Sequence, residues 1–118
     1  MADLMDRVGL SATGGDSKKS LDEVLASYSA MGYRYFEAWL KGRGSAMDVA
    51  DGPEFYVEKG REYGMGFCSL HMRDLETADQ EAIDRAVEEA LFAEKIGASA
   101  RFMWMPRGRF WMLSTATM

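Results

Sequence analysis

Ser20-Leu21-Asp22-Glu23-Val24-Leu25-Ala26-Ser27-Tyr28-Ser29-Ala30-Met31-Gly32-Tyr33-Arg34-Tyr35-Phe36-Glu37-Ala38-Trp39-Leu40 decides the fold. Ser20 and Glu23 have the spacing of a capping box, in which each side chain satisfies the other's backbone N–H. Leu21, Val24, Leu25 and Tyr28 follow at i, i+3, i+4 and i+7, one apolar stripe of a helix. Gly32 is a natural helix stop. Tyr35–Leu40 then reads as a strand, so the stretch holds a helix, a glycine and a strand in that order.

The same unit recurs on both sides. Short apolar runs stand at Arg7–Ser11 and Phe67–His71, and another starts near Ala100. A second helix is expected after the polar loop Lys41–Gly52, with Asp51 and Glu54 at capping spacing, Pro53 in the first turn and Gly64 at its end. A third is expected from a Thr77/Gln80 capping box to Gly97. Its apolar stripe would be Ile83, Ala86, Val87, Ala90 and Leu91, with Asp84, Arg85, Glu88 and Glu89 on the other side. Strands alternating with helices imply parallel βαβ units.

Side chains alternate across a strand, which gives each strand two faces. One set, Val8/Leu10, Phe36/Ala38/Leu40 and Cys68/Leu70, is apolar throughout. The other, Gly9/Ser11, Tyr35/Glu37/Trp39 and Phe67/Ser69/His71, is mixed and partly polar. A doubly wound sheet covers both faces with helices and favours continuously apolar strands. The asymmetry instead fits a barrel with helices outside and a site on the inner face. The expected fold class is α/β, a partial (β/α)8 TIM barrel of about three βα units and a fourth strand. In such barrels the site lies at the C-terminal ends of the strands, where Ser11, Trp39 and His71 stand, with Glu37 one inward step below Trp39.

Composition sets bounds. The chain has 118 residues, 47% hydrophobic and 28% charged, as in ordinary globular domains. Its net charge of −5 argues against nucleic acid as a partner. One cysteine excludes an internal disulfide and fits a reducing compartment. The start, Met1-Ala2-Asp3-Leu4-Met5-Asp6, has no secretory pattern, and no apolar run is long enough to span a bilayer. A cytoplasmic chain with no membrane partner is expected.

Val8-Gly9-Leu10-Ser11, Ser20–Leu25 and Met31–Trp39, in that order, resemble the opening of the sugar phosphate isomerase/epimerase family, the xylose isomerase-like TIM barrels that also include endonuclease IV. Glu62-Tyr63-Gly64-Met65, Ser69-Leu70-His71 and Ala93–Ala98 extend the resemblance to about residue 100. It implies metal-dependent isomerisation or epimerisation of a small sugar or polyol, with a divalent metal (Mn, Mg or Zn) in the full-length parent. It implies Glu37 and His71 as catalytic residues and Ser11, Trp39 and His71 as substrate contacts. His71 is also the residue it offers as a metal contact, as in the endonuclease branch.

The main metal ligands of the isomerases lie on later strands. The expectation is therefore a truncated member, 1–100 being the N-terminal part of the barrel, without catalysis or cofactor of its own. Residues 101–118, where Met, Trp and Arg crowd together after the last acidic residue Glu94, read as an atypical, out-of-frame tail. Two other readings stay open. One is a complete small α/β interaction module using a Phe102–Met112 surface. The other is an endonuclease-like DNA-repair fragment. Open sheet edges would favour self-association.

The residues also have plain readings. Glu37 is a general base or an anchor behind the site, or else an ion-pair partner of Arg7, Arg34 or Arg73. Trp39 is a wall for a sugar ring or aromatic core. Cys68 is inert core on the helix side. Thr13-Gly14-Gly15 is a flexible loop, because no Gly-Lys-Ser/Thr follows. Asp74, Glu76 and Asp79 are a solvated helix entrance, and Glu37 with His71 makes no metal site without further ligands.

Overall fold

The structure, a computed structural model, describes residues 8–105 and 109–114, with side chains described over 8–103. The chain forms β1 (Gly9–Ser11), α1 (Leu21–Ala30), β2 (Tyr35–Trp39), α2 (Pro53–Tyr63), β3 (Gly66–His71), α3 (Gln80–Lys95), β4 (Ala100–Met105) and β5 (Arg109–Ser114). The strands lie side by side in sequence order. β1 to β4 are parallel, and β5 returns antiparallel along β4. This is an α/β fold with a four-stranded parallel sheet and three helices. The sheet continues past residue 100, so part of the tail read as atypical is strand. Residues 106–108 and 115–118 lie outside the described residues, as does Arg7.

α1 begins as its sequence dictates. Ser20 Oγ accepts from Glu23 N, and Glu23 Oε1 accepts from Ser20 N. Leu21, Val24, Leu25 and Tyr28 are buried, and the Tyr28 ring meets Phe36 edge-on at 5.9 Å. α2 starts differently from expectation. Gly52 is its N-cap, with Pro53 in the first turn. The Asp51 carboxylate instead accepts from the Tyr56 hydroxyl at 2.6 Å, which ties the preceding 3-10 turn to the helix. Thr13-Gly14-Gly15, read as a flexible loop, leads into a 3-10 turn at Gly14–Asp16.

α3 departs furthest from its pattern. Its N-cap is Asp79, whose carboxylate accepts from Ala82 N, while Thr77 donates to Asp79. The expected stripe is split: Ala86 and Ala90 pack against the core, whereas Ile83 is 41% exposed, Val87 53% and Leu91 52%. Ala82, Glu89, Phe92 and Ala93 face inward instead. Ala82, Ala86, Ala90 and Ala93 form a second helical row, and small side chains let the helix approach the sheet closely. Glu89, expected on the solvated side, is buried. It accepts from Arg73 N and Arg73 Nε, both at 2.9 Å, with Arg85 Nε at 3.5 Å.

One irregularity sets the two faces of β3. Pairing with β2 runs from Phe36↔Phe67 directly to Glu37↔Ser69, leaving Cys68 as a bulge. Phe67 therefore joins Phe36, Ala38 and Leu70 in the core beneath the helices. Cys68 turns to the opposite face, where its Sγ would lie 2.5 Å from a Cβ placed on Gly9. The sequence reading had these two residues reversed. Cys68 is partly exposed, and burial raises its thiol pKa. After the bulge, Ser69 and His71 lie on the same face as Glu37 and Trp39, as expected.

Candidate functional site

The polar face of the sheet carries two rows of side chains at paired positions. Ser11, Glu37, Ser69 and Ala100 are aligned across β1 to β4. One step further along the strands, Trp39, His71 and Phe102 are aligned across β2 to β4. Strand geometry places successive same-face residues one pleat apart, so a long side chain in the upper row reaches the lower one.

Glu37 is the hub. Its Oε1 accepts from His71 Nε2 at 2.9 Å and from Ser69 Oγ at 3.2 Å. The Ser11 hydroxyl also bonds this carboxylate and accepts from Trp39 Nε1 at 2.8 Å. The His71 hydrogen bond, helped by Ser11 and Ser69, holds the Glu37 carboxyl below its ordinary value against the effect of burial. An ionised carboxylate only accepts hydrogen bonds, so the shared proton belongs to His71 Nε2. Neutral His71 then keeps its lone pair on Nδ1, the nitrogen able to take or deliver a proton.

The imidazole is also held on both faces. The Trp39 ring stacks on it at 3.7 Å with 4° between the planes. The Phe102 ring stacks at 4.9 Å and 20°. Two rings this close to one imidazole must occupy opposite faces. By the same argument the Arg43 guanidinium, 4.1 Å from the Trp39 ring centre, covers the Trp39 face turned away from His71. The four groups form a column that leaves Trp39 its edge but no open face. Trp39 is half-buried and lies outside the core cluster. It is therefore not the core aromatic of the plain reading; its ring braces His71.

Of the cations considered for Glu37, Arg73 is committed to Glu89, and Arg7 lies outside the described residues. Asp79 caps α3, at the helix entrance as expected, while Asp74 pairs with Lys41 at 2.7 Å. Sequence reasoning missed Arg43 and Phe102 as site neighbours. Phe102 is signalled by its register with His71, which needs the fourth strand. Arg43, in an irregular loop, has no periodic signal.

A metal implied by the resemblance finds a poor fit here. Among the described residues no group of three His, Cys, Asp or Glu side chains converges. Glu37 and His71 are two donors already bonded to one another.

The fold and site define an α/β chain whose parallel sheet is covered by helices on one face and carries a braced Glu–His pair on the other. No protein-family profile matches the chain, and no curated protein or solved structure matches it. Among the described residues, no helix is long and apolar enough to cross a membrane.

Proposed function

We propose that the polar face is the substrate wall of a cytoplasmic isomerase or epimerase acting on a small sugar or polyol. The protein would be a (β/α)8 barrel, and this chain its opening units. The observation that carries the reading is the 2.9 Å hydrogen bond from His71, at the C-terminal end of β3, to Glu37, one inward step from the end of the adjacent parallel strand β2, on the face away from the helices. His71 is the proton-handling group, through Nδ1. Glu37 fixes its tautomer, while Trp39 and Phe102 fix its plane. The His71 hydrogen bond, with smaller help from Ser11 and Ser69, keeps Glu37 ionised. His71 and Glu37 side chains are 17% and 25% exposed, open enough to meet a ligand. Further strands would build the rest of the wall, so the 118 residues bind a polyol without converting it.

The test is an NMR titration of the chain with a panel of pentoses, hexoses and their polyols. Saturable shifts of the His71 ring and Glu37 carboxyl signals are expected, with a millimolar Kd, equivalent to about 4 kcal/mol. His71→Ala should abolish the Glu37 shift. No shift with any sugar or polyol would overturn the reading of the site. Turnover by the chain would overturn its dependence on further strands.

A second reading, a complete α/β binding module, is favoured by one observation. β5 runs antiparallel along β4, whereas a growing barrel adds parallel strands. Cooperative unfolding as a monomer supports the module; association through the β1 or β5 edge supports the open sheet.

A further inference from the structure

α3 is apolar around about half of its circumference. Ala82, Ala86, Ala90 and Ala93 lie on the side facing the sheet, and Ile83, Val87 and Leu91 continue the apolar surface onto the outside. A helix that packs against one sheet needs a stripe about 100° wide. The excess is a straight row at i, i+4 and i+8, with every member 41% exposed or more. It extends over about 12 Å of helix. Exposed β-branched and leucine side chains in one contiguous row mark an interaction surface.

Charge around the row selects the occupant. Exposed Asp84 and Glu88 run along its outer edge, and exposed Glu94 closes its C-terminal end, with Lys95 as the nearby cation. Arg85 is engaged with Asp74 O and Glu89. The rim is acidic. A second copy of the chain docked antiparallel about Val87 would set Asp84 and Glu88 against the same two acids, which disfavours self-pairing.

We propose that the outer row of α3 docks an amphipathic helix of a partner protein, with an apolar stripe that meets Ile83, Val87 and Leu91 and a Lys/Arg flank that meets Asp84 and Glu88. Helix-on-helix recognition reads anchors at i, i+3/i+4 and i+7, the spacing presented here. This inference does not use the Glu37–His71 pair, because α3 packs on the other side of the sheet.

The experiment titrates the full chain into a fluorescent synthetic helical peptide with leucines on one stripe and lysines on its flank. A scrambled peptide and a glutamate-flanked peptide are the controls. One-to-one binding to the lysine-flanked peptide is expected, at least tenfold tighter than to either control. Val87→Asp should weaken it tenfold or more. Asp84→Lys with Glu88→Lys should transfer the preference to the glutamate-flanked peptide. All these positions are exposed, and circular dichroism checks that the fold is retained. Equal binding of the scrambled peptide, or insensitivity to both variants, overturns the proposal. A chain dimer that Val87→Asp dissolves overturns it in favour of a second copy.

Discussion

Glu89→Ala is expected to destabilise the chain by about 3 kcal/mol, the lower end of the range for breaking a buried ion pair. The carboxylate is 1% exposed and accepts from the backbone and side chain of Arg73, with the Arg85 guanidinium beside it. Its removal leaves an internal space and takes both oxygen partners from Arg73. The arginines are partly exposed and regain some hydration, which keeps the loss at that lower end. For a domain of this size the melting temperature should fall on the order of 15 °C. Arg73 follows Met72, whose N–H bonds Phe102 O directly after His71. The variant should therefore also loosen the site, seen as broadened His71 ring signals. Glu89→Gln keeps the acceptor oxygen and should lose less. Equal stability of wild type and Glu89→Ala in urea unfolding would show that the buried pair does not hold the β3–α3 loop.

Phe36→Ala should cost at least as much, about 3–5 kcal/mol. Phe36 is fully buried beneath α1, with Tyr28 edge-on to its ring, and it neighbours Phe67 across the sheet. Truncation loses the transfer energy of the ring and opens a cavity between α1 and the sheet. Total stability of a small domain is roughly 5–15 kcal/mol, so the variant should be marginal at 37 °C. Urea midpoints measure the loss. A cost below about 1 kcal/mol would mean that α1 does not pack on this face as described.

Much of this architecture is legible in the sequence because local rules act alone there. Ser20 and Glu23 cap α1 whatever else the chain does, and the apolar positions of β2 alternate without interruption. Glu37 and His71 could be placed on one face by counting along their own strands. The count failed at Cys68, where the bulge shifts the register. A bulge is a property of two strands together, and neither strand sequence announces it. The stripe of α3 came out only in part, for another reason: Ala86 and Ala90 pack inward, but Ile83, Val87 and Leu91 do not. Its alanine row and its Ile/Val/Leu row both satisfy helical periodicity, and only the space beneath the helix selects the smaller side chains. The Thr77 box lost to Asp79, which sits closer to the first turn and accepts from Ala82 N. The column of Arg43, Trp39, His71 and Phe102 joins a loop and three strands, so no single segment could show it.

The site stands or falls with the Glu37–His71 hydrogen bond, and carboxyl-carbon NMR of Glu37 against pH measures it most directly. Glu37 should titrate below its ordinary value of 4.5 in the wild type, and its midpoint should move upward in His71→Ala. The folded value lies below the unfolded one. The associated stabilisation is therefore complete above pH 4.5 and is lost as pH falls through the folded value. Wild type and His71→Ala should accordingly differ more in urea midpoint at pH 5 than at pH 3. A Glu37 midpoint that is the same with and without the imidazole would contradict the pair, and with it the proposed site.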